Sequence, residues 1–155
     1  MTPTLDIWSK APSPVGLLSN FAPHRFELDG VECASMEALL QAFKFGDPDE
    51  QAEIYSLVGS RAKSRGRRST WVDTQTLWWA GRAYPRLGRQ YQGLLDRAYA
   101  ALAGNRRFAV ALTATGDAEL THSRGQPDPT MTVLTPDELC SRLMSTRERL
   151  RATTA

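Results

Sequence analysis

Three polar side chains share one face of a segment that is otherwise apolar. Glu37, Gln41 and Lys44 lie in the stretch SMEALLQAFKFG, and their spacing of i, i+4 and i+7 places them on one side of an α-helix. The apolar residues on the opposite side are Met36, Leu39, Leu40 and Phe43. The pattern allows two interpretations: a surface helix with a narrow solvated face, or a helix whose polar line faces a pocket.

Glu37 and Lys44 are residue types that acid–base and nucleophilic catalysis use. Glu37 falls in the first helical turn, where the helix dipole favours the carboxylate, whereas burial raises a carboxyl pKa. A carboxyl group balanced between these effects can act as a general acid or base. A desolvated Lys44 loses basicity and becomes a usable amine nucleophile. Burying both charged groups costs free energy. If the fold buries Glu37 and Lys44, a functional role is therefore the favoured explanation.

The remaining patterns predict a mostly helical α+β fold with a small antiparallel sheet. Asp29-Gly30 between two β-compatible runs predicts a hairpin, and Ser35 is expected to cap the polar-line helix, which Gly46 ends. Further helices are predicted from Asp47 to about Val58, around Leu77–Trp79, from about Leu87 to Ala103, and from Thr135 onward. LDIW and AELTHS are strand-like, RFAVALTATG fits a strand or a buried helix, and GSRAKSRGRRST is assigned as a basic connector.

Composition indicates one ordinary globular domain. The 155 residues are 41% hydrophobic and 23% charged, and without repeats or linkers we expect one domain over 1–155 with frayed tails at 1–4 and 152–155. A net charge of +2 excludes attraction of the whole surface to nucleic acid or membrane. With no signal pattern or membrane-length apolar run, a soluble cytoplasmic protein is expected. Cys33 and Cys140 are predicted to be reduced, buried thiols.

A basic run and scattered aromatic or histidine residues leave alternatives open. The residues Arg61, Lys63, Arg65, Arg67 and Arg68 form either a solvated face or a phosphate-binding loop. Trp71 is expected in the core, with base stacking as the alternative. Two histidines, His24 and His122, are too few for a histidine-based metal site unless carboxylates contribute ligands. No cofactor is expected.

The segment from Gly16 to Phe45 resembles the opening signature of the NADAR/YbiA-like N-glycosidases. The matching positions are Ser19-Asn20-Phe21, Asp29-Gly30, Ser35-x-Glu37, Gln41-Ala42 and Lys44, and a later family element is matched by Ala62-Lys63-Ser64-Arg65-Gly66-Arg67. The family cleaves bonds between a ribose and a nitrogen base, in early riboflavin-pathway intermediates or in ADP-ribosylated guanine of nucleic acid. The resemblance implies a metal-independent enzyme of mostly helical α+β fold, with Glu37 and Lys44 at the catalytic centre and Lys63 and Arg67 as phosphate contacts.

One region departs from the family pattern. Many relatives carry Asp-x-x-Trp-Gly between the last strand and the final helix, where this chain has THSRGQPDPTMTVLTPDELC. Only Asp128 can stand in for the acidic residue, and the Trp-Gly pair is absent. The far wall of the pocket is therefore expected to differ from that of the relatives.

The leading hypothesis is a hydrolase acting on a phosphorylated ribosyl or ADP-ribosyl compound, free or carried on nucleic acid. Expected substrate contacts are Ser19, Asn20, Phe21, Gln41, Lys63, Arg67, Trp71 and Asp128. Either Lys44 forms an imine with the opened ribose, or Glu37 activates water directly. Two other hypotheses are a non-catalytic module that binds ADP-ribose or NAD-like ligands, and a nucleic-acid-binding protein using Arg61–Arg68, which the small net charge disfavours. No membrane partner is expected.

Overall fold

The computed structural model describes residues 2–154 and shows an α+β architecture dominated by helices. The elements in chain order are β1 (Thr4–Asp6), a 3-10 helix (Val15–Leu18), β2 (Phe26–Leu28), β3 (Val31–Cys33), α1 (Met36–Ala42), α2 (Pro48–Ile54), α3 (Ser60–Gly66), α4 (Trp71–Thr74), β4 (Thr76–Trp79), β5 (Arg82–Pro85), α5 (Arg89–Leu102), α6 (Arg106–Ala114), β6 (Glu119–Thr121) and α7 (Pro136–Thr154). The predicted fold class is confirmed. Met1 and Ala155, which belong to the tails expected to be frayed, lie outside the described residues.

The strands form three separate pairs. β2 pairs with β3 and β4 with β5, both antiparallel, as the prediction of antiparallel strands required. β1 and β6 pair in parallel, which the sequence analysis did not predict. Parallel neighbours need a long crossover connection, and here most of the domain lies between the two strands. This pair joins the beginning of the described chain to the segment before α7.

Local turn and capping chemistry explains several elements that were predicted correctly. Asp29 and Gly30 both have left-handed φ values, 50° and 83°, as the two central residues of a tight hairpin turn require. At the start of α7, the Thr135 N–H donates to Glu138 Oε1 at 2.8 Å and the Glu138 N–H donates to Thr135 Oγ1 at 3.1 Å. This reciprocal capping box confirms the predicted helix start.

Two assignments from the sequence were wrong, and one ambiguity is resolved. Leu77–Trp79 lies in strand β4, where Leu77 and Trp79 are buried while the residues between and before them are half-buried; this alternation is typical of a strand. Residues with left-handed φ, Gln75 before the strand and Ala80 after it, stop a helix from forming there.

The basic connector contains helix α3. RFAVALTATG begins in helix α6, which the Asn105 side chain caps.

Two helix ends also differ from the prediction. α1 ends at Ala42, and Phe43 already occupies the C-cap position, so Lys44 lies just beyond the last helical residue. α2 ends at Ile54 rather than near Val58. α5 agrees closely with its predicted span.

α1 runs through the centre of the molecule. All seven of its residues are buried, and the Phe43 ring that follows packs edge-on against Trp79 and Tyr91, with ring centroids 5.7 and 6.1 Å away. The interpretation of this segment as a surface helix is therefore wrong. Both cysteines are free and buried, as predicted.

Across residues 2–154, no helix combines the length and the apolar character that crossing a membrane requires.

Candidate functional site

A cavity of about 460 Å³ opens beside α1. Its walls come from the segment after β1, residues 19–21, α1 with Lys44, Lys63 of α3, the turn after β6 and residues 131–134. The volume falls in the range typical of small-ligand sites, roughly 300–1,000 Å³. The cavity brings together seven of the ten predicted site residues: Ser19, Asn20, Phe21, Glu37, Gln41, Lys44 and Lys63.

Glu37 is a nearly buried carboxyl group in the cavity wall. Its residue is 8% exposed, and burial raises the pKa of the carboxyl above its ordinary value. The Gln41 side-chain amide donates to Glu37 Oε1 at 2.8 Å, and the Glu37 backbone N–H donates to the Asn20 carbonyl at 3.0 Å. The carboxyl is therefore held in a fixed position and is easily protonated.

Lys44 faces the same cavity without an ion-pair partner. Its backbone N–H donates to the Gln41 carbonyl at 3.1 Å, which continues the turn of α1 and keeps the side chain on the polar side. No carboxylate of residues 2–154 lies within 4.0 Å of its ammonium nitrogen. Burial lowers the pKa of the amine, and the charge of Glu37 partly opposes that change. Lys44 is thus a partly desolvated amine beside a protonatable carboxyl.

A glycine allows α3 to approach the polar line of α1. A Cβ atom on Gly66 would lie only 1.7 Å from Gln41 Oε1, so no larger residue fits without displacing that amide. The same oxygen is buried and has no hydrogen-bond partner in the described residues. The close approach of α3 brings Lys63 to the cavity edge.

The segment at residues 19–21 forms an adjoining wall and is fixed by two side-chain hydrogen bonds. The Tyr99 hydroxyl donates to Asn20 Oδ1 at 2.8 Å, and the Phe21 N–H donates to Ser19 Oγ at 3.2 Å. The hydrogen bond from Tyr99 fixes the orientation of the Asn20 amide, whose N–H groups are not engaged by that bond and can donate to a ligand. Phe21 also contacts the open groove next to the cavity.

This open groove is the surface of α3 and the residues after it. It shares Phe21 and Lys63 with the cavity and is otherwise lined by residues 60–68. Arg67 lines the groove and not the cavity. Arg65 is engaged with Glu53 at 3.0 Å, whereas Arg67 has no carboxylate within 4.0 Å among residues 2–154. The basic run therefore forms a charged extension of the cavity.

Besides Arg67, two further predicted contacts do not reach the cavity. Trp71 is 5% exposed and belongs to the hydrophobic core, so its position supports the core alternative rather than base stacking. Asp128 is exposed, and its carboxylate accepts hydrogen bonds from the Thr130 N–H and hydroxyl at 2.9 and 2.8 Å. Asp128 therefore stabilises a loop that lies outside the cavity lining.

The cavity is also lined by residues that the sequence analysis left out of the site, among them Trp8, His122 and Arg124. His122 Nδ1 lies 2.7 Å from the Ile7 carbonyl, which leaves Nε2 as the ring nitrogen available to a ligand. The Arg124 guanidinium lies 4.0 Å from the centre of the Trp8 ring. These residues meet only because β1 and β6 pair across most of the chain, and local sequence patterns carry no signal for that pairing.

Comparisons with known proteins agree with this architecture. The family described as Bacteriophage protein GP30.3 matches residues 13–148. The uncharacterized 17.1 kDa protein in the Gp30-rIII intergenic region of Enterobacteria phage T4 is 34% identical over 121 residues, which is 77% of this chain and 80% of that protein. The NMR structure of the E. coli protein YbiA is similar with a TM-score of 0.65 and 21% identity, over 99% of this chain and 89% of that one.

The likeness to YbiA concerns the fold, and at that level it confirms the resemblance drawn from the sequence. The family match covers most of the chain, including all residues of the cavity from Ser19 to Leu139. The chain belongs to the bacteriophage protein GP30.3 family and has the YbiA-like fold.

Proposed function

We propose that the protein is an N-glycosidase that hydrolyses the bond between a ribose and a nitrogen base. The substrate is either an ADP-ribosylated guanine or a phosphorylated ribosylamino-pyrimidine of the riboflavin pathway. One observation carries the proposal: a buried, protonatable Glu37 and an unpaired, partly desolvated Lys44 line the same ligand-sized cavity. Perturbed titratable groups that meet in a cleft are the usual mark of a catalytic site.

The first step needs a nucleophile at the anomeric carbon and a proton for the departing base. Neutral Lys44 Nζ attacks the anomeric carbon, and the bond from that carbon to the base nitrogen breaks. The electron pair of that bond leaves with the nitrogen, which takes the proton of the Glu37 carboxyl. Glu37 is then a carboxylate beside a positively charged ribosyl-ammonium group.

The second step opens the sugar and releases it. Glu37 takes one proton from the Lys44 nitrogen, the nitrogen lone pair then forms a protonated imine, and the ring oxygen leaves the anomeric carbon and takes the proton from Glu37. Glu37 then removes a proton from water, whose oxygen adds to the imine carbon. Transfer of that proton to Lys44 nitrogen, and of the new hydroxyl proton to Glu37, frees the sugar aldehyde and restores both groups. In the direct alternative, Glu37 activates water and Lys44 only orients the substrate.

The remaining cavity residues suit a phosphorylated ribosyl group. Amide groups of Asn20 and Gln41 are neutral partners for ribose hydroxyls, and Ser19 lies beside them in the cavity wall. Phe21 and Lys63 lie where the cavity meets the basic groove. A phosphate chain that leaves the cavity along this edge would meet Arg67 next. This continuity supports a substrate carried on nucleic acid, and the cytoplasm remains the proposed location.

The experiment is incubation with an ADP-ribosylated guanine oligonucleotide and, separately, with ribosylamino-pyrimidine phosphates, followed by mass analysis of the products. We expect one class to release its base and sugar parts. Glu37→Gln should lose at least about a hundredfold in rate while remaining folded. Glu27→Gln, which alters an exposed carboxylate on β2, is the matched control and should keep the parent rate.

A non-catalytic module that binds ADP-ribose or NAD-like ligands is the second candidate. It is favoured by the absence of the family's Trp-Gly pair and by Arg124 in the cavity wall. Binding of ADP-ribose without release of product from either substrate class would support this candidate and refute the glycosidase. Near-parent turnover in Glu37→Gln would refute the assigned role of Glu37.

A further inference from the structure

We propose that Arg124, stacked on Trp8, forms a phosphate subsite in the wall that follows β1 and β6, and that it selects ligands with a phosphate next to the ribosyl unit. The ribosyl unit of this ligand rests on the proposed function, whereas the phosphate subsite itself is tested by binding alone. Its three supports are the fixed position of Arg124, its lack of an acidic partner, and the charge of the cavity.

The two residues are positioned by the parallel strand pair. β1 and β6 are in register with Asp6 opposite Thr121, and the Ile7 N–H donates to the Thr121 carbonyl at 2.8 Å. Trp8 and Arg124 follow these paired ends by two and three residues. The strand register thus brings the backbones of the two residues together, and the exposed Arg124 guanidinium lies 4.0 Å from the centre of the half-buried Trp8 ring.

The turn that carries Arg124 is fixed by the Asp6 side chain. Asp6 accepts hydrogen bonds from the Ser123 N–H at 2.8 Å, the Ser123 hydroxyl at 2.6 Å and the Thr121 hydroxyl at 3.0 Å. The hydrogen bonds from Ser123 lower the pKa of Asp6, so the carboxylate stays ionised and engaged with the turn. His122 Nδ1 adds a contact of 2.7 Å with the Ile7 carbonyl.

Arg124 itself has no ion-pair partner. Within residues 2–154, no carboxylate lies within 4.0 Å of its guanidinium nitrogens. Stacking on an indole contacts the face of a guanidinium and leaves the N–H groups at its edge free for bidentate binding to a phosphate. An orientated arginine with free donors is thus presented beside the cavity.

The charges around the cavity call for an anionic ligand. Among the lining residues Glu37 is the acidic one, whereas Lys44, Lys63 and Arg124 are basic. Burial raises the pKa of Glu37 and lowers that of Lys44, so the positive excess of the cavity comes from Lys63 and Arg124. If Glu37 and Lys44 act on the ribosyl bond, Lys63 and Arg124 remain for the phosphate groups. Since Arg124 covers one face of Trp8, phosphate binding explains this pair better than base stacking on that face.

The test is calorimetric titration of the full chain with ADP-ribose, ribose 5-phosphate and adenosine. Arg124→Gln should weaken binding of both phosphorylated probes by about tenfold or more, as loss of a hydrogen bond to a charged group implies, and leave adenosine binding unchanged. Trp8→Leu, which removes the stacking partner, should produce a smaller loss with the same probe dependence. Arg82→Gln is the matched control, because Arg82 also stacks on an aromatic ring, that of Tyr84 at 5.5 Å, but lies outside the cavity.

Three outcomes would overturn the subsite. They are unchanged phosphate-probe affinity in Arg124→Gln, an equal loss for adenosine and the phosphorylated probes, and failure of the parent protein to bind either phosphorylated probe. The test also separates the two proposals. Phosphate binding that depends on Arg124, without hydrolysis, would support the subsite and refute the glycosidase. Hydrolysis with unchanged phosphate affinity in Arg124→Gln would support the glycosidase and refute the subsite.

Discussion

Burial shifts the pKa values of Glu37 and Lys44 in opposite directions. Burial raises the pKa of the carboxyl and lowers the pKa of the amine, so both groups move toward their neutral forms. A neutral acid and a neutral amine are the forms that the first chemical step of the proposed reaction consumes. The cavity thus favours the protonation states that the chemistry needs.

The raised pKa of Glu37 predicts how stability depends on pH. Because the folded protein holds this proton more tightly than the unfolded chain, the stabilisation is complete below the ordinary glutamate pKa and is lost as the pH rises through the raised pKa. Each tenfold difference in proton affinity is worth about 1.4 kcal/mol. Glu37→Gln lacks this loss, so its free energy of unfolding relative to the parent should increase between pH 4 and pH 7.

Urea unfolding at several pH values measures this difference. Glu27→Gln, on the exposed side of β2, should show a nearly constant difference from the parent over the same range. A difference for Glu37→Gln that stays constant, or decreases with pH, would contradict a buried Glu37 with a raised pKa.

At the scale of single residues, the sequence predicted those site residues that lie close together along one helix. The i, i+4, i+7 spacing found Glu37, Gln41 and Lys44, and the structure places all three in the cavity wall. Periodicity could not decide whether that face was buried, because burial depends on α3 and on residues 19–21 packing over it. Arg124 was missed because Trp8, on which it stacks, and the residues of α1 are distant from it in sequence.

At the scale of elements, the contact of α3 with α1 depends on Gly66. A Cβ on this residue would overlap Gln41 Oε1, so Gly66→Ala should move the Gln41 amide away from Glu37 and destabilise the protein by about 1–3 kcal/mol. We also expect a lower kcat, since Glu37 loses its hydrogen-bond donor.

The control for this prediction is another helical glycine. Gly93 in α5 has open space where a Cβ would lie, and Gly93→Ala should stabilise the protein by up to about 1 kcal/mol through helix propensity alone. Thermal unfolding and steady-state kinetics are the measurements. If both alanine variants behave alike, the close α1–α3 contact does not constrain the site.

The basic groove predicts a separation of binding from chemistry. Arg67 lines the groove outside the cavity, so Arg67→Ala should raise KM several-fold while kcat changes little. The effect should shrink at higher ionic strength, because the lost contact is charge-assisted. Arg82→Ala serves as the control, and a large fall in kcat at unchanged KM would contradict the assigned role.

Helix caps were predictable, but some element types were not. Ser35, Asp47 and Thr135 each cap a helix in the expected way, because a cap is a local hydrogen bond between near neighbours. β4 was mistaken for a helix since its Leu-Trp-Trp run has no distinguishing period. Its strand geometry is set by pairing with β5 and by the Trp78 N–H donating to the Phe43 carbonyl at 2.7 Å.

At the scale of the whole molecule, a buried ion pair holds the last cavity wall against α7. Arg86 is 1% exposed; its Nε donates to the Thr132 carbonyl at 2.8 Å, and its terminal nitrogens donate to Glu138 at 2.6 and 3.1 Å. Thr132 lines the cavity. The pair thus links the C-terminal helix to the shape of the site.

Glu138→Ala should therefore be strongly destabilising. Removing one partner leaves the Arg86 charge buried and unpaired, at a cost of about 3–5 kcal/mol, and also removes the capping box of α7. Asp137→Ala, in the same helical turn but exposed, should cost no more than about 1 kcal/mol. Urea unfolding checks both, and equal midpoints for the two variants would show that the ion pair contributes little.

The fold class was predictable because composition, caps and the family signature agree on it. The parallel β1–β6 pair was not, since two three-residue strands on opposite sides of most of the chain leave no local pattern. That pair builds the cavity wall containing Trp8, His122 and Arg124.

Borohydride trapping during turnover tests whether Lys44 reacts covalently with the ribosyl carbon, as we propose. Reduction of the imine should leave the sugar portion on an amine as a stable adduct. The chain has three lysines, Lys10, Lys44 and Lys63, so peptide mapping assigns the adduct without ambiguity. Lys44→Arg keeps the charge but cannot form the imine, and Lys63→Arg and Lys10→Arg are its matched controls.

We expect an adduct on the peptide that contains Lys44, its persistence in both control variants, and loss of the adduct and of turnover in Lys44→Arg. Near-parent turnover in Lys44→Arg, together with no adduct in the parent protein, would contradict the covalent route and leave Glu37 and water to carry out the hydrolysis.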